Sequence, residues 1–462
     1  MTAPILLWFR DDLRLADHAA LHAALATGAP VLPIYVLDDE PLWVTGGAAR
    51  WWLHHSLTSL ARGLAVLGAP LILRRGPAVA AIQALVEETG ATEVYTGVMP
   101  DPKARIADRA LLEAGVKLHR LLTFMLFSPD DISTGGGSPY AVYTPFANAC
   151  LAREPRPLLP PPDRIPAPKP PASDRLDDWR LLPSKPDWAG GLRATWTPGE
   201  QGAHESLGRF LAEAIDEYPT GRDRPDRAGT SRLSPHLRFG EISAATVWHR
   251  AGTRHAVFIK ELLWREFSIH QLWHNPALPD APAKPAFAAM PWRDDPTALT
   301  AWQRGLTGVP IVDAGMRQLW QTGWMHNRVR MIVASFLIKH LMIDWRAGEK
   351  WFWDTLVDAD LAANAASWQW VAGSGANAAP YFRIFNPVLQ GRKFDPDGVY
   401  TRRFVPELAT LDSRHIHAPS EAPPEALIKA GVVLGQTYPH PIIDLAFGRT
   451  RALEAFAALR AG

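Results

Sequence analysis

Residues 325–387 read MHNRVRMIVASFLIKHLMIDWRAGEKWFWDTLVDADLAANAASWQWVAGSGANAAPYFRIFNP, and the C-terminal half of the chain is read outward from them. Asp360, Asn364 and Trp368 fall at i, i+4 and i+8, which predicts one helix face carrying a carboxylate, a carboxamide and an indole in a row. Such a row suits a flat polar ligand. Taken singly, the tryptophans are core residues and Asp360 and Asn364 are caps or solvent-facing groups. Taken together, Asp358 and Asp360, Arg328 and Arg330, and Trp345, Trp351, Trp353, Trp368 and Trp370 are too many costly groups for one ordinary core segment. The stretch therefore reads as the lining of a cavity.

A chain of 462 residues holds two or three domains with apolar content for real cores. The 48 basic and 47 acidic residues leave a net charge of +1, which hides any local basic face. The single cysteine, Cys150, can form neither an internal disulfide nor a cysteine zinc site, so a reducing, cytoplasmic setting is expected. MTAPILLWFR lacks a basic leader segment, and Lys339 and His340 interrupt the apolar run Val333–Ile343, so no membrane span is expected. The 19 tryptophans are the unusual figure, because indole serves stacking and one-electron oxidation as well as packing.

Over the first 130 residues short apolar runs (ILLWF, VLPIYV, LILRR, EVYTG, KLHRL) alternate with helical patterns beginning near Ala16, Ala48, Ala78 and Ala104. This predicts an α/β domain, a Rossmann-like parallel sheet with crossover helices. No GxGxxG follows the first run, so an ordinary dinucleotide fingerprint is absent. Residues 154–171, EPRPLLPPPDRIPAPKPP, hold nine prolines and can neither propagate a helix nor pair as a central strand. They read as a semi-rigid strap inside an interdomain connector at 131–199, in preference to a polyproline ligand for a partner. From about Gly199 the patterns are helical, which predicts an all-α domain over 200–462, and the chain stops at Gly462 without a long polar tail. In GTSRLSPH, Thr230, Ser231, Leu233 and Ser234 set hydroxyls and backbone N–H groups before a helical segment, as an anionic diphosphate requires; a cap without a ligand is the plainer alternative.

MHNRVRM, DLAANAASWQW and APYFRIFNP, with GTSRLSP, ELLWREF and the N-terminal WFRDDLRL, resemble the class I cyclobutane pyrimidine dimer photolyases of the photolyase/cryptochrome family. The motifs run in order through nearly the whole chain. The resemblance implies a light-driven carbon–carbon lyase: excited, reduced FAD donates an electron to a pyrimidine dimer in single- or double-stranded DNA, the cyclobutane ring splits, and the electron returns. It carries over Tyr218, Thr230, Ser231, Leu233, Ser234, Phe258, Arg265, Asn327, Arg330, Asp358, Asp360 and Asn364 as FAD contacts, with Phe258 standing where a family member has Trp. Asn364 would lie opposite the flavin N5, where a carboxamide accepts or donates without titrating; Arg330 and Asp358 would pair beside the ring.

Glu261 and Trp264, three apart in KELLWREF, share a helix face. In the family that face meets a base flipped out of the duplex, the carboxyl bonding its edge and the indole stacking on it. Asn327, Met331 and Trp370 would complete the pocket; a (6-4) repair enzyme carries a histidine in the segment of Met331. Arg328, Arg383 and Lys393 would bind phosphates with little sequence preference. Trp368, Trp345 and Trp292 match the family's electron-hopping chain, with packing as the alternative for each. The N-terminal domain would hold an antenna. The loop GVMPDPKAR lacks the Asn-Glu pair associated with methenyltetrahydrofolate, so Asp38 and Arg50 favour an 8-hydroxy-deazaflavin. The rivals are a cryptochrome-type blue-light photoreceptor, and a flavin electron-transfer enzyme that does not act on DNA. A monomer is expected.

Overall fold

In Ile5–Phe9 (β1) every residue is buried, as a strand covered on both faces must be. The computed structural model describes residues 2–38 and 43–461, in which the chain forms two compact units. The first comprises Met1–Glu213, Ser231–Pro276 and Val357–Ala362; the second comprises Ala214–Thr230, Ala277–Leu356 and Ala363–Gly462.

In the first unit β1 is joined by Val31–Leu37 (β2), Ile72–Arg75 (β3), Glu93–Gly97 (β4) and Leu118–Leu121 (β5) in a parallel sheet of order β3-β2-β1-β4-β5. Ile5 pairs with Val31 on one side and Glu93 on the other. The crossovers are Ala19–Ala26 (α1), Gly47–Val66 (α2), Ala78–Thr89 (α3) and Pro102–Glu113 (α4). Period-two alternation sorts the strands between two cores. Ile5, Leu7 and Phe9 pack with Leu21, Trp51, Trp52 and Leu57, whereas Leu6 and Trp8 pack with Ile82, Leu85 and Leu111. The sheet expected from the apolar runs is thus present. Helix α1 starts at Ala19, because Asp17 sits at φ 53° and His18 caps the helix by accepting from the Leu21 amide.

The motif WFRDDLRL is structural. Arg14 is fully buried and donates to the carbonyls of Asp17, Thr123 and Gly240, and Asp12 accepts from the Thr123 hydroxyl. The proline strap has no helix or strand; Ile165 enters the core and the Pro166 carbonyl accepts from the Val31 amide. Helices Tyr143–Leu151 (α5), Glu200–Glu213 (α6) and Ala256–His274 (α7) belong to the same unit. The helical pattern AHESLGRFLAEAIDEY breaks after Glu213, and Pro219 opens a separate single turn at Tyr218–Gly221.

The second unit contains Asn327–Ser335 (α8), a π-helical turn at Phe336–His340 and Trp345–Thr355 (α9). Leu361–Ala372 (α10) follows, with all but its first two residues in this unit, and then Pro387–Phe394 (α11). Gln369 is fully buried on α10 and ties down residues 278–283: its Nε2 donates to the Leu278 and Ala281 carbonyls, and its Oε1 accepts from the Ala283 amide. Among the described residues no helix is long and apolar enough to cross a membrane.

Candidate functional site

The GTSRLSP loop, which belongs to the first unit from Ser231 onward, leads into a short helix, Ser234–Arg238. Ser231 Oγ accepts from the Leu233 amide at 3.4 Å, and Arg232 adopts φ 53°. The amides of Thr230 and Ser231 donate to nothing among the described residues, so an anionic ligand would find donors there. Arg238, at the end of the helix, bonds Asp11 at 2.6 Å and donates from Nε to the Ala359 carbonyl at 2.6 Å. It thereby fixes the segment that carries Asp358 and Asp360. Nothing in the spacing of the sequence revealed Arg238 as that anchor.

The predicted row of Asp360, Asn364 and Trp368 is corrected by the structure. Helix α10 begins at Leu361, so Asp360 stands in the cap position and only Asn364 and Trp368 share a helix face. The physical reason is the preference of aspartate for the position before a helix, where its short side chain competes with the helical backbone. Asp358 is buried and Asp360 half-buried.

Helix α7 brings several predicted residues onto one element. Phe258 is buried with its ring 4.8 Å from that of Phe210. Glu261 and Trp264 are half-buried one turn apart, as read from the sequence. One face of Trp264 is covered: Tyr143 of α5 lies parallel to it at 3.6 Å with an interplanar angle of 3°. Arg265 is held by Glu266 at 2.7 Å and by the Phe124 carbonyl at 3.1 Å, and its guanidinium lies over the Phe124 ring.

In the second unit α9 and α10 build the setting of Asn364. The Asn364 Nδ2 donates to the Glu349 carbonyl at 3.1 Å. The amide is thereby oriented, and Oδ1 accepts from nothing among the described residues. That atom is an acceptor on a buried residue, suited to an N–H such as a reduced flavin offers. The Glu349 side chain is itself fully buried and neither carboxyl oxygen has a hydrogen-bond partner among the described residues. Burial pushes its carboxyl up to about 9, Asp280 adding to the rise while Arg346 and Lys350 oppose it. The sequence hid this group, because Glu349 between Arg346 and Lys350 reads as a surface ion-pair partner.

Trp368 is buried against the backbone of Gly348, where a Cβ would overlap its ring. The ring lies 5.0 Å from Phe352 and 6.3 Å from Trp302, itself fully buried. Trp345 is buried, and Trp292 is partly buried beside Met290, Met342 and Tyr381.

Helix α8 starts at Asn327, which is exposed, behind a His326 cap. Arg328 bonds Asp223 at 2.6 Å, touches the Met331 sulfur and lies 4.5 Å over the ring of Phe394; Lys393 approaches that ring at 5.2 Å. Arg328, Met331 and Lys393 are thus brought together. Arg330 donates to the Met325 carbonyl at 2.7 Å. Arg383 is exposed, and its carbonyl accepts from the buried Lys339 amine at 3.0 Å. Burial brings that amine down to about 8. Tyr218 is buried and Trp370 half-buried. Just after β2 Asp38 pairs with Lys103 at 2.8 Å, and on α2 Arg50 donates to the Arg180 carbonyl at 2.9 Å.

The family model described as DNA photolyase matches residues 5–169, and that described as the FAD binding domain of DNA photolyase matches residues 258–458. The deoxyribodipyrimidine photo-lyase of Agrobacterium fabrum is 52% identical, with 99% of this chain and 98% of that protein aligned. Cryptochrome-1 of Arabidopsis thaliana is 35% identical over 98% of this chain and 70% of its own length. Among solved structures, a bacterial class III photolyase from Agrobacterium tumefaciens superposes with a TM-score of 0.96 at 51% identity, covering 100% of this chain and 98% of that one. With both family models matched and relatives aligned end to end, the chain belongs to the photolyase/cryptochrome family and carries its FAD-binding domain.

Proposed function

We infer that this protein is a deoxyribodipyrimidine photo-lyase, which uses light to repair cyclobutane pyrimidine dimers in DNA. The observation that carries the reading is the end-to-end identity of 52% to a photo-lyase, together with an Asn364 carboxamide whose free Oδ1 suits a reduced flavin. The cryptochrome reading is less well supported, its relative being 35% identical. The 51% identity to a solved class III photolyase supports class III in place of the class I suggested by the motifs.

Bound FAD would supply light-driven one-electron chemistry for opening the dimer. The chain's residues do the rest. Thr230, Ser231, Leu233 and Ser234 hold the diphosphate through hydroxyl and amide donors. Tyr218, Phe258, Arg265, Asn327, Arg330, Asp358 and Asp360 complete the cofactor contacts, and Asn364 accepts a hydrogen bond without titrating. Glu261 bonds the edge of a flipped pyrimidine, Trp264 and Trp370 stack on it, and Asn327 and Met331 close the pocket. Arg328, Arg383 and Lys393 bind phosphates. Trp368, Trp345 and Trp292 conduct electrons from the surface inward, a role that fits the passage from buried Trp368 to part-exposed Trp292. Residues 1–130 serve as the antenna domain, 131–199 as the connector and 200–462 as the catalytic domain. The antenna is a deazaflavin; the engagement of Asp38 by Lys103 means that such a ligand would have to displace or share that ion pair. The reading takes the protein as a cytoplasmic monomer.

Incubation of the purified, reduced protein with a dimer-containing oligonucleotide tests the reading. Blue light should restore the monomeric pyrimidines and darkness should not. Dimers that persist equally in light and dark would refute it. Stoichiometric uptake of a folate without uptake of a deazaflavin would refute the antenna assignment.

A further inference from the structure

Two aromatic ladders meet in the first unit. Tyr140, just before α5, and Tyr143 and Phe146 in its first turn, each three residues from the next, face Trp264, Phe267 and His270 at the same spacing on α7. Tyr143 meets Phe267 edge-on at 5.9 Å, Phe146 lies 5.2 Å from Phe267 and 5.0 Å from His270, and the Tyr140 amide donates to His270 Nε2 at 3.0 Å. At the outer end of the ladder Tyr143 lies flat on Trp264 at 3.6 Å, and its hydroxyl donates to the Lys260 carbonyl, one turn before Trp264, at 2.8 Å. Both rings remain half-buried. A parallel stack this close is unusual for a pair with no further role, since aromatic pairs favour offset or edge-to-face arrangements. The Tyr143 ring is held edge-on by Phe267 and flat on Trp264, and the indole is fixed with it.

We propose that Tyr143 is a positioning residue for damage recognition: it backs one face of the Trp264 indole, so that the ring is held flat and offers a single face to a flipped base. The proposal rests on the reading of Trp264 as the stacking surface. A side chain free to rotate would lose rotamer entropy when a base stacks on it; one already pinned does not, so the benefit appears only with an extruded base. Phosphate-mediated binding to intact DNA gains nothing from it.

The experiment measures, in the dark, the affinity of the FAD-loaded protein for one duplex with and without a single thymine dimer. The proteins compared are the wild type, Tyr143→Leu, Tyr143→Phe and Trp264→Ala. Tyr143→Leu keeps apolar burial against α7 while removing the stack. It should lose roughly three- to tenfold in affinity for the dimer duplex with intact duplex unaffected, the range expected for one aromatic pair. Tyr143→Phe should retain the wild-type preference. Unchanged or improved preference in Tyr143→Leu would overturn the proposal, improvement meaning that the tyrosine competes with the base for the indole. Equal loss in Tyr143→Phe and Tyr143→Leu would also overturn it, by assigning the effect to the Lys260 bond. If Trp264→Ala kept the preference, the reading of Trp264 would fall and the proposal with it; loss in Trp264→Ala beside no loss in Tyr143→Leu would sink the proposal alone. Unaltered visible absorption of bound FAD establishes that each variant is folded.

Discussion

Asn364 and Trp368 lie one helical turn apart on α10, and both depend on a neighbour on α9: the amide on the Glu349 carbonyl, the indole on Gly348. Trp368→Phe should retain fold and FAD, because phenylalanine keeps most of the apolar burial and an imperfect replacement costs on the order of 1–3 kcal/mol. Light-driven reduction of the oxidised flavin should nearly vanish, since a phenyl ring is far harder to oxidise than an indole, while the chemically pre-reduced protein should still repair dimers. Bleaching rate in blue light and repair by the pre-reduced protein are the two measurements. Unchanged bleaching would assign Trp368 to packing alone. Glu349 makes a different prediction, of pH dependence. Its folded-state pKa of about 9 stands above the usual value of 4.5. Between those limits the native state keeps a proton that the unfolded chain releases. This group therefore lowers stability as pH rises through the window, by at most about 1.4 kcal/mol per pH unit. Glu349→Gln cannot titrate, so its stability relative to wild type should increase from pH 5 to pH 9. Parallel pH profiles of Tm for the two proteins would refute this.

At the scale of elements, the close crossing of α9 and α10 depends on the absence of a side chain at Gly348. An alanine there would put its methyl into the Trp368 ring and meet Leu337 beside it. The indole is backed by Phe352 and Trp302, both buried. Gly348→Ala should accordingly destabilise the protein by about 1–3 kcal/mol as overpacking, with little relief from alanine's better helix propensity. It should also slow photoreduction by tilting the indole. Full stability in thermal unfolding would show that the helices can part. The neighbouring π-turn Phe336–His340 aims the buried Lys339 amine at the Arg383 carbonyl, so the loop carrying one proposed phosphate contact is held by that amine together with the buried Tyr381 ring and the bond from the Phe385 amide to the Ser335 hydroxyl. Local helical spacing shows none of this, because a one-residue π-insertion shifts every later side chain around the helix.

Across the whole molecule, a net charge of +1 makes DNA affinity a matter of where individual cations stand. Arg383 and Lys393 are exposed and make no ion pair among the described residues, whereas Arg328 shares its charge with Asp223. Arg383→Ala or Lys393→Ala should weaken binding to damaged and intact DNA alike and reduce the slope of log affinity against log salt by about 0.9; Arg328→Ala should reduce it less. Loss confined to damaged DNA would make the residue a base reader. The strands β1 to β5, the proline strap and the helical C-terminal half were legible from the sequence, because burial periodicity and proline chemistry are local. So was the pairing of Glu261 with Trp264, which follows from helical spacing alone. The row from Asp360 was misread, since the spacing of three residues does not reveal whether a helix starts before or after the first. Glu349 shows the other limit: flanked by charges it looks solvated, yet it is fully buried. Arg238, Gly348 and Tyr143 act on partners at least 20 positions away in the chain. The sequence determined which elements form and which family they belong to; only tertiary structure decided which polar groups are desolvated and which rings are pinned, because both depend on contacts between residues distant in the chain.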